Sequence, residues 1–225
     1  MKKLSLVFVM VAIIVSGFAA DAVALLSASK GKVTLERSAK SVKFNNGELL
    51  QNKDVLRTGA ESFAAYKYID GSSNIKVFSN SVVTVNAVKN GAKLDKNVNV
   101  NKGSIFSQIK SGTGAFNVQT PTTVASVKGT GFLTKVDELG NSMFIVSEGE
   151  VEVKVIVTDE RLSVGKGKTA VINADGEMEV RDSTEEDLSA LETQEVESMQ
   201  NTAPQVMRIP VIDSNGRTKY IEITF

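Results

Sequence analysis

Cysteine, histidine and tryptophan are all missing from this 225-residue chain, and each absence removes a class of chemistry. Without cysteine there is no disulfide framework, no thiolate metal site and no cysteine for N-terminal lipid attachment. Without histidine, the commonest metal ligand and the usual acid–base group near neutral pH are gone. Without tryptophan, and with aromatic residues at only 6%, little remains on which sugars or single-stranded nucleic acid would stack. Charge of neither sign is in excess. Twenty-six basic and 26 acidic residues leave a formal net charge of zero, so no general field draws the chain to nucleic acid or an anionic membrane. No cofactor, no metal and no nucleic-acid partner are therefore expected.

What is present begins with enough apolar residues, 42%, to build a core. Residues 1–24 read as a secretory signal. Lys2 and Lys3 form its charged start, Leu4 to Phe18 an apolar run shorter than a membrane span, and small residues allow cleavage after Ala19, Ala22 or Ala24. The alternative is an uncleaved anchor. With cleavage, no stable membrane span remains and the destination is periplasmic or secreted.

From 25 to 181 the chain is strand-like almost throughout. Val83, Val85 and Ala87 alternate with Thr84, Asn86 and Val88, and Val151, Val153 and Val155 alternate with charged residues, the period of half-buried strands. Turn signals such as Asp70-Gly71, Asn90-Gly91 and Asp175-Gly176 recur about every ten residues, the spacing of sandwiches, barrels or solenoids. No fixed repeat period accompanies them. A looser phrase, glycine followed by an alternating strand, appears at Gly47, Gly103, Gly149 and Gly167. Residues 182–203 change character: Ser183-Thr184-Glu185-Glu186 reads as a capping box, and Leu188, Leu191 and Met199 are expected on one face of an acidic helix over about 184–200. This helix is either a solvated one packed by its leucines or a docking helix for a basic partner. Residues 204–225 read as a hairpin turning at Asn215-Gly216.

Sites of chemistry are sparse. Gly165-Lys166-Gly167-Lys168 lacks the spacing of a phosphate-binding loop and reads as a turn between strands. Asp70-Gly71-Ser72 lacks the carboxylate ladder of a calcium loop. Lys89, Lys93, Lys96, Lys102 and Lys110 form a mild basic stretch, a solvated surface first and an anionic-polymer footprint second.

The most informative stretch runs from Phe116 to Val136. Phe116 and Val118 alternate with polar residues up to Thr120-Pro121, where the missing proline N–H demands a strand start, edge or bulge. A second alternating run then reaches the Gly129-Thr130-Gly131 turn. F-x-V-x-T-P followed by A-S-V-K-G-T-x-F resembles the signature of the FecR domain. Further pieces agree in order: Gly47 to Leu50, Asp54 to Gly59, Asp70-Gly71-Ser72, Ser81, Gly103 and Glu148 to Val151. Lys128 stands where the family pattern has arginine, so a point ammonium replaces a planar fork. The resemblance covers about 30–157. It implies an all-β domain, an irregular β-solenoid or rolled β-sandwich, followed here by a short helix and a β-hairpin. It also implies a structural role for the signature residues Thr58, Gly59, Asp70, Gly71, Thr120, Pro121, Lys128, Gly129, Thr130, Glu148 and Gly149. The expected function is non-enzymatic: an exported module that binds an envelope protein in signalling or assembly. The alternatives are a module holding a cell-wall or surface polysaccharide, and a hydrolase whose site carries no recognisable motif. Family members with a cytoplasmic segment bind a sigma factor; the signal peptide leaves no such segment before the domain.

Overall fold

The computed structural model describes residues 22–201 in full, together with the backbone of Val206–Ile212 and Thr218–Thr224. The expected signal segment Leu4–Phe18, the Asn215-Gly216 turn and Phe225 lie outside the described residues. The first nine strands are β1 (Ala22–Lys30), β2 (Val33–Arg37), β3 (Lys40–Val42), β4 (Leu49–Gln51), β5 (Asp54–Thr58), β6 (Phe63–Tyr68), β7 (Ser73–Val77), β8 (Val82–Asn90) and β9 (Lys93–Ile109). Eight more follow: β10 (Phe116–Gln119), β11 (Thr123–Val127), β12 (Gly131–Val136), β13 (Ser142–Glu148), β14 (Glu150–Val155), β15 (Arg161–Gly165), β16 (Lys168–Ile172) and β17 (Met178–Asp182). Helix α1 (Glu185–Asn201) and the hairpin of β18 (Val206–Ile212) and β19 (Thr218–Thr224) close the chain.

All seventeen strands before the helix are joined by hydrogen bonds, but they form two layers. One layer runs β4-β1-β6-β7-β9-β12-β13-β16-β17. The other runs β3-β2-β5-β8-β9-β10-β11-β14-β15. Strand β9 belongs to both: its Lys93–Lys102 half pairs with β8, and its Gly103–Ile109 half pairs with β7 and β12. The corner is at Gly103, whose φ is 90°. A Cβ there would collide with Ser81, so glycine is required both for its backbone angle and for its lack of bulk.

The alternation read from sequence puts one apolar set between the layers. Leu26, Tyr66, Tyr68, Ile75, Phe132 and Phe144 face it from the first layer; Leu35, Leu56, Val83, Val98, Phe116 and Val153 face it from the second, all fully or almost fully buried. The result is the rolled form of the expected all-β fold. After β11 the winding is regular. The chain crosses between layers at Gly129, Gly149 and Gly167, with φ of 66°, 76° and 76°, and turns back within a layer at the β12–β13, β14–β15 and β16–β17 hairpins. The crossings gather at one end of the sandwich, called here the Gly129 end, and the hairpin tips at the other, the Pro121 end.

Three expectations change in detail. The stretch after Pro121 holds two strands, β11 and β12, in different layers. The first strand starts at Ala22, ahead of position 25, because Val23 and Ala24 fill the core. In α1 the face toward the protein is not Leu188, Leu191 and Met199. It is Asp187, Leu191, Gln194 and Ser198, while Leu188 and Met199 are exposed. The reason is that α1 lies on the outer face of the first layer, over a small second cluster around Phe63, Phe106, Leu133 and Ile145, and is fixed there mainly by polar contacts. Lys76 Nζ donates to Ser198 Oγ at 2.7 Å, Gln194 Nε2 donates to Ser104 Oγ at 3.1 Å, and Asp187 accepts from Arg181. The capping box sits one residue later than expected: Asp187 N donates to Thr184 Oγ1 at 3.2 Å and Thr184 N to Asp187 Oδ2 at 2.9 Å.

Candidate functional site

The signature residues do not converge on one centre. They form four knots, two at each end of the sandwich. At the Pro121 end, buried Thr58 accepts from Ser81 N at 3.0 Å and donates to the Phe78 carbonyl, while Gly59 N donates to Lys32 O at 2.9 Å. Ser81 Oγ in turn accepts from Ser104 N at 2.9 Å, beside the Gly103 corner. This knot ties four changes of layer together: β1 to β2, β5 to β6, β7 to β8 and the corner within β9. Beside it, Thr120 Oγ1 accepts from Thr123 N at 3.0 Å and from Ser142 Oγ at 2.7 Å, and Thr122 Oγ1 lies 2.9 Å from Ser142 Oγ. The cluster closes the turn in which Pro121 stands exposed, its missing N–H costing no ladder bond.

At the Gly129 end, Asp70 caps its own turn, accepting from Ser72 N at 3.1 Å and Ser72 Oγ at 2.6 Å, with Gly71 at φ 66°. Its other oxygen lies 2.8 Å from Lys96 Nζ. Lys96 is only 2% exposed, its ammonium also donating to Thr113 O at 2.9 Å and lying 6.0 Å from the Tyr68 ring centre. Burial pushes the Asp70 carboxyl up, but Lys96 and the Ser72 donors outweigh it and hold the group below its ordinary value. The fourth knot joins Gly129, Thr130 and Gly149. Ile109 N donates to Thr130 O at 2.9 Å, and a Cβ on Gly149 would lie 2.6 Å from Gly129 O. Lys128 and Glu148 are exposed on this end.

Two residues carry weight here that the sequence reading places at the surface, in the case of Lys96, or passes over, in the case of Arg37. Lys96 stands among its lysine neighbours in sequence, yet Leu94, Lys96, Val98 and Val100 alternate in phase, and a lysine on the apolar face is the signal of a buried, paired charge. Arg37 lies between two motif pieces. Its guanidinium donates to buried Asp54, 2.8 Å from Oδ2, and lies 3.5 Å from Glu48 Oε1. The lysine stretch itself is dispersed by the fold. Lys96 is inside, Lys102 pairs with Glu138 at 2.9 Å at the Pro121 end, and Lys93 and Lys110 lie at the Gly129 end. Consecutive residues of a strand alternate faces and travel along it, so nearness in sequence does not make a patch.

The outer face of the second layer is polar. Asn97, Asn117, Ser126, Glu152 and Ser163 follow one another across neighbouring strands. Its clefts include two near the ends of the sandwich. One of about 770 Å³ lies toward the Gly129 end, among Lys93, Asn117, Lys128, Glu150 and Ser163. One of about 680 Å³ lies toward the Pro121 end, where Val55, Val82, Pro121 and Leu139 meet Arg57 and Lys102. Among the described residues, no group of three His, Cys, Asp or Glu is placed to hold a metal. Also among the described residues, no helix is long and apolar enough to cross a membrane.

Comparison with known proteins gives a family over the middle of the chain. Residues 54–152 match the family described as FecR protein. Two crystal structures of a candidate anti-sigma factor from Parabacteroides distasonis ATCC 8503 share the fold. Each has a TM-score of 0.51 and 15% identity, covering 76% of this chain and 84% of that one. No curated protein matches the chain.

Proposed function

Because residues 54–152 carry a FecR domain, we propose that this chain is an exported, non-enzymatic module that binds a protein partner in envelope signalling or assembly. The family match is the observation that carries the reading. The shared fold of a candidate anti-sigma factor, a regulatory type of protein, supports it. So does the use of the signature residues: Thr58, Gly59, Asp70, Gly71, Thr120, Gly129, Thr130 and Gly149 hold turns and crossings, and leave binding to the surface around them. Residues 1–24 are read as a signal region. Of the three cleavage points, only the one after Ala19 leaves β1 whole, which supports a mature chain beginning at Ala20.

The alternative, a polysaccharide footprint along the lysine stretch, is weakened by the withdrawal of Lys96 and Lys102 from it. The test is capture from envelope fractions on the immobilised mature chain. One discrete protein, retained reproducibly and in a stoichiometric amount, is the expected result. Co-sedimentation with purified cell wall, abolished by salt and with no protein retained, would overturn it in favour of the polymer.

A further inference from the structure

Three successive hairpin tips meet at the Pro121 end: residues 137–141, 156–160 and 173–177. Each carries two acids, Asp137 and Glu138, Asp159 and Glu160, Asp175 and Glu177, and none carries a lysine or arginine. The same tips expose the largest aliphatic surface at this end: Leu139 is 78% exposed, Val157 70% and Ile156 44%. The tips are tied together. Ile156 N donates to Thr122 O at 2.9 Å, and Ala174 N to Asn141 Oδ1 at 2.8 Å. From Leu139 and Pro121 the 680 Å³ cleft descends onto Val55 and Val82. Single exposed aliphatic residues are ordinary, but several on adjoining tips, the first of which borders a cleft where Val55, Val82 and Pro121 lie beside Arg57 and Lys102, mark a contact surface.

We propose that this end of the sandwich is the docking surface of the module, and that its occupant is a cationic protein segment bearing aliphatic side chains. The proposal rests on the protein-binding reading above and adds the surface and the chemistry of the partner. The carboxylate rim sets the sign of the partner's charge. The rim is a fixed feature, because Asp137 is hydrogen-bonded by Leu139 N and Asn141 N, each at 2.9 Å, within its own turn. Lys102 and Lys154 offset Glu138 and Asp159. That leaves Asp137, Glu160, Asp175 and Glu177 without an ion pair among the described residues, a net negative field that repels anionic headgroups and draws cations. Leu139, Val157 and the cleft floor supply the apolar area that such a partner would bury, and burial at the centre of a charged rim is the usual anatomy of a specific contact.

The test uses the mature chain and a labelled ten-residue peptide of alternating lysine and leucine, with all-lysine and alternating glutamate–leucine peptides as controls. The lysine–leucine peptide is expected to bind, more weakly in high salt, with backbone chemical-shift changes confined to the three tips and the cleft. Leu139→Ser with Val157→Ser should weaken it about tenfold, and Glu160→Lys with Asp175→Lys by at least as much. Each variant is first shown to keep the parent's thermal transition, which it should, since all four side chains are exposed. Several results would overturn the proposal: shifts centred on α1 or the Gly129 end, equal binding by the all-lysine peptide, binding to phosphatidylglycerol vesicles through the tips, or concentration-dependent self-association that occupies them. If the tip variants retain the envelope protein captured by the parent chain, this surface is wrong while the protein-binding function stands. If no protein is captured by the parent, the function itself fails.

Discussion

Lys96 is a charge that water does not reach, and it survives inside because three neighbours meet it: the Asp70 carboxylate, the Thr113 carbonyl and the face of Tyr68. A buried ion of this kind is costly once its partner is removed, on the order of 3–5 kcal/mol, but costs little when both charges are absent. Asp70→Asn is therefore expected to lower the melting temperature strongly. Lys96→Met, which leaves Asp70 at the surface with its Ser72 donors, should be much milder, and adding it to Asp70→Asn should recover most of the loss. Differential scanning calorimetry of the three variants checks this; equal losses for the two single variants would refute it. Gly103 poses a different residue-scale demand. Any side chain there meets Ser81 at a backbone angle that other residues rarely adopt. Gly103→Ala should cost about 2 kcal/mol or more, read from the urea midpoint, whereas Gly47→Ala should cost less, because open space surrounds Gly47 despite its φ of 92°. Both glycines were visible in the sequence as the start of a recurring phrase. Which of them was crowded depended on Ser81, 22 positions away from Gly103 in the chain.

At the scale of an element, α1 shows how a helix can be legible in its extent and misread in its face. The sequence supplied the capping pattern and the acidic first turn, and the helix starts within one residue of expectation. Its leucines, however, suggested an apolar contact, and the sheet instead presents Lys76, Ser104 and Arg181 to it. A polar seam is chosen by what the opposite face offers, and no helix period reveals that. The seam also makes the docking sensitive to acid. Burial pushes the Asp187 carboxyl up, but Arg181, both donors of Thr184 and the Thr169 hydroxyl outweigh it and hold it at about 2. A group whose folded value is depressed contributes stability that is complete above its ordinary value of 3.8 and fades as pH falls toward 2. The helix should thus loosen from the sandwich between about pH 4 and pH 2. Hydrogen exchange or helical circular dichroism over that range will show it, and Asp187→Asn should already have lost the pH dependence at pH 6. A helix signal flat from pH 6 to pH 2 in the parent chain would refute the assignment.

For the whole molecule, the shared strand β9 decides how the two layers behave. Because its halves lie in different sheets, neither layer can open without breaking the ladder of the other. Residues 22–201 should therefore unfold in one cooperative step, with calorimetric and van't Hoff enthalpies equal; two resolved transitions would contradict this. The N-terminal strand belongs to the same unit. Val23, Ala24 and Leu26 are buried and β1 pairs with both β4 and β6, so a mature chain beginning at Leu25 would lose core as well as ladder. Intact-mass measurement of exported protein should give Ala20 as its first residue, and a start at Val23 or Leu25 would refute that.

Sequence alone settled what is local: the period-two alternation, the turns at Gly71, Gly91 and Gly176, the acidic helix, and the FecR motif pieces, because each is written in residues a few positions apart. Tertiary structure alone decided which layer each strand joins, that Ser81 meets Gly103 and Asp70 meets Lys96, that a run of lysines divides between two ends and an interior, and that three acidic tips gather at one end of the sandwich. Those outcomes depend on crossings between layers, and a crossing brings together residues whose separation along the chain carries no trace of their distance in space.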